Sequence, residues 1–318
     1  MASGLLIDLN DGNPVMQITA GMRCPSFCNL VSNTWDEKIV NIDGYVPGSQ
    51  IVVIPRDPVS IQNRGTNLVP TIGMQSGYSQ NGSQLTFSTW WSDNWGRDRL
   101  YDLTICQILP SSTGQGLYIA DSTDFTAIPD STRAGFCVWA GTITFTGQWR
   151  TPDTGYDRNK YMVFARWSAD GVTVEYDGNN IYARNETNGE EGDATVTMRV
   201  AIFASGVAPQ AGTGLNFFNA AGQCTFSTVR RPFIFRNRFY NPSWDYHDIG
   251  EGMILLGRYG FRSRVSGDRC RAKFAGLMMS GNSVRCASGI TKSNWTSRYS
   301  VVQDRLVGMS VPIIENMY

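Results

Sequence analysis

Twice in this chain a Gly-Leu pair opens a short alternating segment, passes through a turn and arrives at an Arg, a Pro and an aromatic residue. The segments are GLLIDLNDGNPVMQITAGMRCPSF, Gly4 to Phe27, and GLNFFNAAGQCTFSTVRRPF, Gly214 to Phe233. Leu5, Ile7 and Leu9 alternate with Leu6 and Asp8, and Leu215 and Phe217 with Asn216 and Phe218. Period-two alternation of this kind marks a strand with one buried face. Asn10-Asp11-Gly12-Asn13 and Asn219-Ala220-Ala221-Gly222 supply residue types that tolerate the positive φ of a tight turn. Each segment therefore reads as a β-hairpin, returning over Val15 to Thr19 or Cys224 to Thr228. Pro25 and Pro232 have no N–H to give to a ladder, so they end those strands or lie on an edge.

A third copy, GLYIADSTDFTAI from Gly116 to Ile128, repeats the Gly-Leu pair and the alternation, with Thr123-Asp124 in place of the turn Gly. Alternating strands LTICQIL (Leu103 to Leu109) and TVTMRVAIFA (Thr195 to Ala204) precede short linkers, Ser111 to Gln115 and Val207 to Thr213, that lead into the next Gly-Leu. The spacing divides the chain into three β-sandwich repeats, residues 1–112, 113–209 and 210–318, each of a usual sandwich size. Further strands are expected at Gln50 to Ile54, Leu85 to Trp91, Tyr161 to Ser168, Val172 to Tyr176 and Met253 to Tyr259. The sequence holds 33 Gly and 13 Pro and lacks a convincing amphipathic helix. The expected fold is all-β: tandem small antiparallel sandwiches, immunoglobulin-like or related, strung on the two linkers.

Charge and cysteine use bound the function. Among 318 residues, 27 basic and 27 acidic side chains leave no net charge to attract nucleic acid or an anionic membrane. The start MASGLLIDLN has neither the basic opening nor the long apolar core of a signal peptide, and the longest apolar runs are strand-sized. Synthesis in a cytoplasm and no membrane span are expected. The seven cysteines are odd in number and scattered, which argues against a disulfide framework. Cys24 and Cys28, four apart, resemble half of a metal site, but no second Cys/His pair at matching spacing exists, so no cofactor or metal is expected.

Catalysis has few candidates. His247 is the sole imidazole and no nucleophile elbow adjoins it; Asp93, Asp98 and Asp102 flank the aromatic run WWSDNW as carboxylates that a glycosidase could use. A non-enzymatic protein is the favoured reading. In the same run Trp91 is in phase with Leu85 and Phe87 and reads as core, whereas Trp90 and Trp95 are the exposed candidates for an interface or a sugar platform. Asp8 to Asn13 looks like a calcium loop, but its Gly falls one place early and no closing Glu follows. Glu186, Glu190, Glu191 and Asp193 in NETNGEEGD read as a solvated hairpin tip.

The motif carried by Gly214, Leu215, Gly222, Phe226, Thr228, Arg231 and Pro232 resembles the opening of small β-rich proteins encoded among the tail-tip and tail-fibre genes of lambda-like tailed bacteriophages and prophages. The first copy departs from it, with Met16 for the Phe and Cys24 between Arg23 and Pro25. The resemblance covers the hairpins and carries over no functional residue. It implies a virion protein of the tail tip or baseplate, oligomeric there, with hub or fibre proteins as partners and fibre attachment or binding of a host surface glycan or receptor as its duty. The alternatives are a stand-alone carbohydrate-binding protein and a tail-associated glycan hydrolase.

Overall fold

The computed structural model describes residues 4–10, 12, 14–34, 38–65, 67–93, 101–110, 116–121, 124–129, 133, 135–186 and 191–318. Among these the chain is all-β, with two single-turn 3₁₀ segments and no α-helix. The first stretch contains β1 (Gly4–Ile7), β2 (Met16–Thr19), β3 (Ser26–Thr34), β4 (Ile39–Asn41), β5 (Gln50–Asp57), β6 (Val59–Gln62), β7 (Thr71–Asn81), β8 (Gln84–Trp91) and β9 (Tyr101–Ile108). The second has β10 (Gly116–Asp121), β11 (Asp124–Pro129), β12 (Phe136–Thr146), β13 (Gln148–Arg150), β14 (Tyr161–Trp167), β15 (Val172–Tyr176), β16 (Asn180–Asn185) and β17 (Thr195–Ala204). The third has β18 (Asn216–Phe218), β19 (Cys224–Ser227), β20 (Arg238–Tyr240), β21 (His247–Asp248), β22 (Met253–Leu255), β23 (Gly260–Ser266), β24 (Arg269–Ser280), β25 (Ser283–Thr296), β26 (Asp304–Leu306) and β27 (Val311–Ile314).

The same strand order recurs in all three stretches. Each begins with a two-stranded hairpin, β1-β2, β10-β11 or β18-β19. Each then lays down three neighbours in the order β3-β9-β5, β12-β17-β14 or β20-β27-β22, so that the last strand of the stretch is always the central one. The other layer follows suit: β4-β8-β7-β6, then β13-β16-β15, then β21-β25-β24-β23 with β26 added. All pairings are antiparallel, as expected where one face of each sheet packs on a core.

Residues 113–209 and 210–318 are not strung apart on a linker. β14 pairs with β22 (Phe164↔Leu255, Ala165↔Ile254) and β15 with β24 (Val174↔Leu277), so both sheets run on across that boundary. Edge pairing between distant segments leaves no local signature, which is why the sequence suggested separate beads. The core follows the same continuity: Phe164, Phe203, Phe233 and Tyr318, all fully buried, meet in edge-on and tilted contacts with centroids 4.7–5.6 Å apart. Burying each such side chain contributes about 1.5–3 kcal/mol. Strands expected at Val172 to Tyr176 and Thr195 to Ala204 coincide with β15 and β17. The strand expected over Met253 to Tyr259 stops at Leu255, and beyond it Arg258 forms an ion pair with Glu175.

Candidate interaction surfaces

The hairpins take the geometry their sequences specify. In the first, Leu5 faces Ile18 and Ile7 faces Met16, with Ile18 and Met16 fully buried; Asn10 and Gly12 have φ of 52° and 75°. In the third, Phe217 stacks on the buried Phe226 at 4.9 Å, and Gly222 has φ of 74°. Its turn is closed by Asn219, whose Oδ1 accepts from the N–H groups of Ala221 and Gln223, 3.0 Å each. In the second, β10 and β11 pair from Gly116↔Pro129 to Asp121↔Asp124, and its turn residues 122 and 123 lie outside the described residues. The leading Gly has a steric reason. A Cβ on Gly4 would lie 2.8 Å from Thr19 Cγ2, and one on Gly214 2.6 Å from Thr228 Oγ1, so a Thr opposite the Gly closes both hairpins.

The inward residues pack, and the outward ones are exposed. Each hairpin presents a large apolar side chain to solvent: Leu6 (67% exposed), Tyr118 (64%) and Phe218 (50%). Among the described residues no hairpin extends into a larger sheet, so each keeps two strand edges outside any ladder.

The Arg-Pro segments that follow are brought together. Arg23 and Phe235 exchange backbone hydrogen bonds (2.7 and 3.0 Å), Phe27 N–H donates to Arg133 O (2.9 Å), and the 135–137 and 231–233 segments exchange bonds of 2.7 Å. Arg231, only 3% exposed, donates through Nη1 to the carbonyls of Pro14 (2.6 Å) and Met317 (2.8 Å). The Arg of the motif thus binds three remote stretches of the chain to one another.

Trp90 is not an exposed contact residue. Its ring stacks on Phe261 at 5.9 Å, and the Arg305 guanidinium lies 4.5 Å from its centroid, an intramolecular contact between residues 1–112 and 210–318. Alternation along β8 put its ring outside the first sandwich, and the third stretch covers that outside. Trp95 lies outside the described residues, as does Asp98. Trp91 is half-buried, its ring over Gly73, where an added Cβ would approach Trp91 to 2.5 Å.

The other candidates have structural roles. Asp93 accepts from the Thr71 hydroxyl, which in turn accepts from Arg64 Nε at 2.7 Å, and Asp102 sits opposite Asp57 on the β5-β9 ladder. His247 is exposed, pairs through its backbone with Val284 and meets Tyr240 edge-on. The described residues on either side of the acidic tip are paired: Glu186 with Arg285 and Arg262, Glu191 with Lys273 (3.1 Å), and Asp193, itself largely exposed, with Arg184 (2.5 Å). Glu190 lies outside the described residues. Burial opposes ionisation of Glu191, but hydrogen bonds from Thr291 and the Lys273 ammonium outweigh it and hold its carboxyl below the ordinary value. The cysteines are free thiols. Burial pushes Cys28 up to about 11 and Cys286 to about 12, and raises Cys24 and Cys106 further, so these thiols stay protonated and inert at neutral pH. No group of three His, Cys, Asp or Glu among the described residues could hold a metal ion.

No local pattern marks the most buried charge. Glu175, with a fully buried side chain, accepts from Arg258 Nε (2.9 Å) and from Ile290 N–H (3.0 Å), and the Arg258 guanidinium lies over Phe274 at 4.1 Å. Gly289 leaves the room: a Cβ there would stand 2.0 Å from Glu175 Oε2. Its neighbours in VTVEY are all buried as well, so both faces of β15 are covered and no amphipathic pattern marks the Glu.

No curated protein and no solved structure matches the chain. A family model does match, over residues 4–297, a span that takes in all three hairpins and nearly every strand described above. The chain accordingly belongs to that family, a family of unknown function (DUF6453).

Proposed function

We propose that the chain is a structural and recognition component of a bacteriophage tail tip or baseplate, working by binding rather than by catalysis. The observation that carries this reading is the hairpin surface. Hairpins that bury one face and turn Leu6, Tyr118 and Phe218 to solvent suit contact with neighbouring proteins, where apolar and aromatic anchors supply most of the binding energy. The hairpins are also the segments that resemble tail-tip and tail-fibre proteins. In this reading the joined sandwiches form a rigid body and the hairpins attach it to a hub or fibre, with receptor binding as the further duty.

The test is the composition of the particle. Tails purified from a phage or induced prophage that encodes the chain should contain its peptides by mass spectrometry, and antibody-gold label should collect at the tip. Tyr118→Ala and Phe218→Ala, checked for wild-type folding by circular dichroism, should each lower incorporation. Purified tails with the full set of other tail proteins and none of this chain would overturn the assignment.

A further inference from the structure

We infer that the outer edge of β12 is a self-association site at which two copies of this chain pair, antiparallel, into one continuous sheet. β12 is the terminal strand of its sheet and runs for eleven residues, FCVWAGTITFT, with no charged residue and no Pro. Charges, prolines, bulges and short length are among the devices that keep an edge strand alone. The other edges carry them: β20 and β13 have three residues each and include Arg238 and Arg150, β26 has three and includes Asp304 and Arg305, and β5 contains Pro55, Arg56 and Asp57. β3 is also uncharged, but two register shifts break it along its length, whereas the one shift in β12, at Cys137/Trp139, leaves 139–146 in unbroken register.

Two further observations favour a strand of this same kind as the occupant. The 231–233 segment already pairs with the edge at Phe136 and then diverges, and among the described residues no strand pairs with 138–146 on that side, an edge of roughly 30 Å. Trp139, Ile143 and Trp149 are only partly buried at this side of the sandwich, with Trp139 and Trp149 in contact at 5.4 Å, so an added strand would also cover an apolar seam. A second copy fits for reasons of charge and precedent. In a twofold antiparallel pairing with its axis at Thr144, Thr144 faces its own counterpart and Thr142 faces Thr146, so the exposed threonine row meets itself and a charge at its centre would face a like charge; β12 has none. The chain itself already extends a sheet in this way, by pairing the equivalent outer strands β14 and β22 edge to edge. On the outward face the pairing would continue the row of Thr142, Thr144 and Thr146, of which Thr144 and Thr146 already share hydroxyl hydrogen bonds with Thr197 and Thr195.

The inference is independent of the virion reading, because it is read on the purified full chain. Sedimentation equilibrium from nanomolar to the highest soluble concentration should show a monomer–dimer equilibrium. Thr144→Lys and Thr144→Glu, both on the exposed face, should each weaken dimerisation about tenfold or more, and an equimolar mixture of the two should recover it. Thermal melts must match wild type; if either variant melts early, Thr144→Arg and Thr144→Asp are made in its place. A chain that stays monomeric throughout, a dimer indifferent to these charges, or variants that fail to recover on mixing would each overturn the inference, as would cross-linking in assembled particles that places another protein's strand on β12.

Discussion

The chain holds itself together by two different kinds of junction. Between residues 113–209 and 210–318 the bond is a continuation of secondary structure: two sheets cross the boundary, and Glu175 and Arg258 are sealed beneath them. Between residues 1–112 and the rest it is a fit of side chains and short backbone contacts: Trp90 against Phe261 and Arg305, Gly308 against Ser76, and the Arg23–Phe235 exchange. The first kind cannot be undone without breaking ladders and exposing a buried ion pair. The second can open while each side keeps its own sheets. Sequence proximity is therefore a poor guide to mechanical unity here, since the same short linkers precede both kinds of junction.

That contrast can be broken by mutation. Glu175→Ala leaves Arg258 buried without its partner and should cost about 3–5 kcal/mol, lowering the denaturant midpoint of 113–318 as one cooperative transition. If the second and third stretches instead separate into two transitions, the continuous-sheet junction is not a single unit. Trp90→Ala should cost about 2 kcal/mol, less than for a fully buried Trp, and should let 1–112 melt apart from the remainder in calorimetry. Gly308→Ala places a Cβ 2.0 Å from the Ser76 carbonyl oxygen and should cost about 1–2 kcal/mol through the same junction. A melt unchanged by both would show that neither contact joins the parts.

The smallest effect belongs to the ion pairs that Glu186 and Glu191 make with β25 and β24. Because the Glu191 carboxyl is held below its ordinary value in the folded chain, its contribution to stability is present above the unfolded value and is lost as pH falls through the folded one. Stability should therefore decline on the acid side of the carboxylate range. Glu191→Gln should flatten part of that slope while changing stability at neutral pH by under about 1 kcal/mol. An unaltered acid limb in urea titrations would remove Glu191 from the account.

What the sequence made legible was local. Alternation and turn residues located all three hairpins, down to the positive φ of Gly12 and Gly222, and strands with clean alternation such as Thr195 to Ala204 were found whole. What escaped was set by partners far along the chain. Trp90 is covered by Phe261 and Arg305, so no window around WWSDNW could reveal its burial. Charge clusters misled for the same reason: Glu186 and Glu191 read as solvated because the Arg and Lys that meet them lie on β23, β24 and β25. Glu175 had no signal, since a strand buried on both faces loses the polar alternation that would mark an inward charge.

The strand order has a consequence for the time course of folding. In each stretch the strand that arrives last, β9, β17 or β27, is the one on which its two neighbours depend for pairing. Until it leaves the ribosome, β3 and β5, or β12 and β14, have nothing to bond to between them. Each sandwich must therefore wait for its own final segment and then close in one step, with loop-closure entropy charged against pairs that are distant in sequence. The third closes latest, because β22 gains β27 only when residues 311–314 appear, and until then β14 has an incomplete neighbour. During that interval the exposed edges of an unfinished sheet are open to other chains, so aggregation during synthesis should be governed by how quickly the last strand follows the rest.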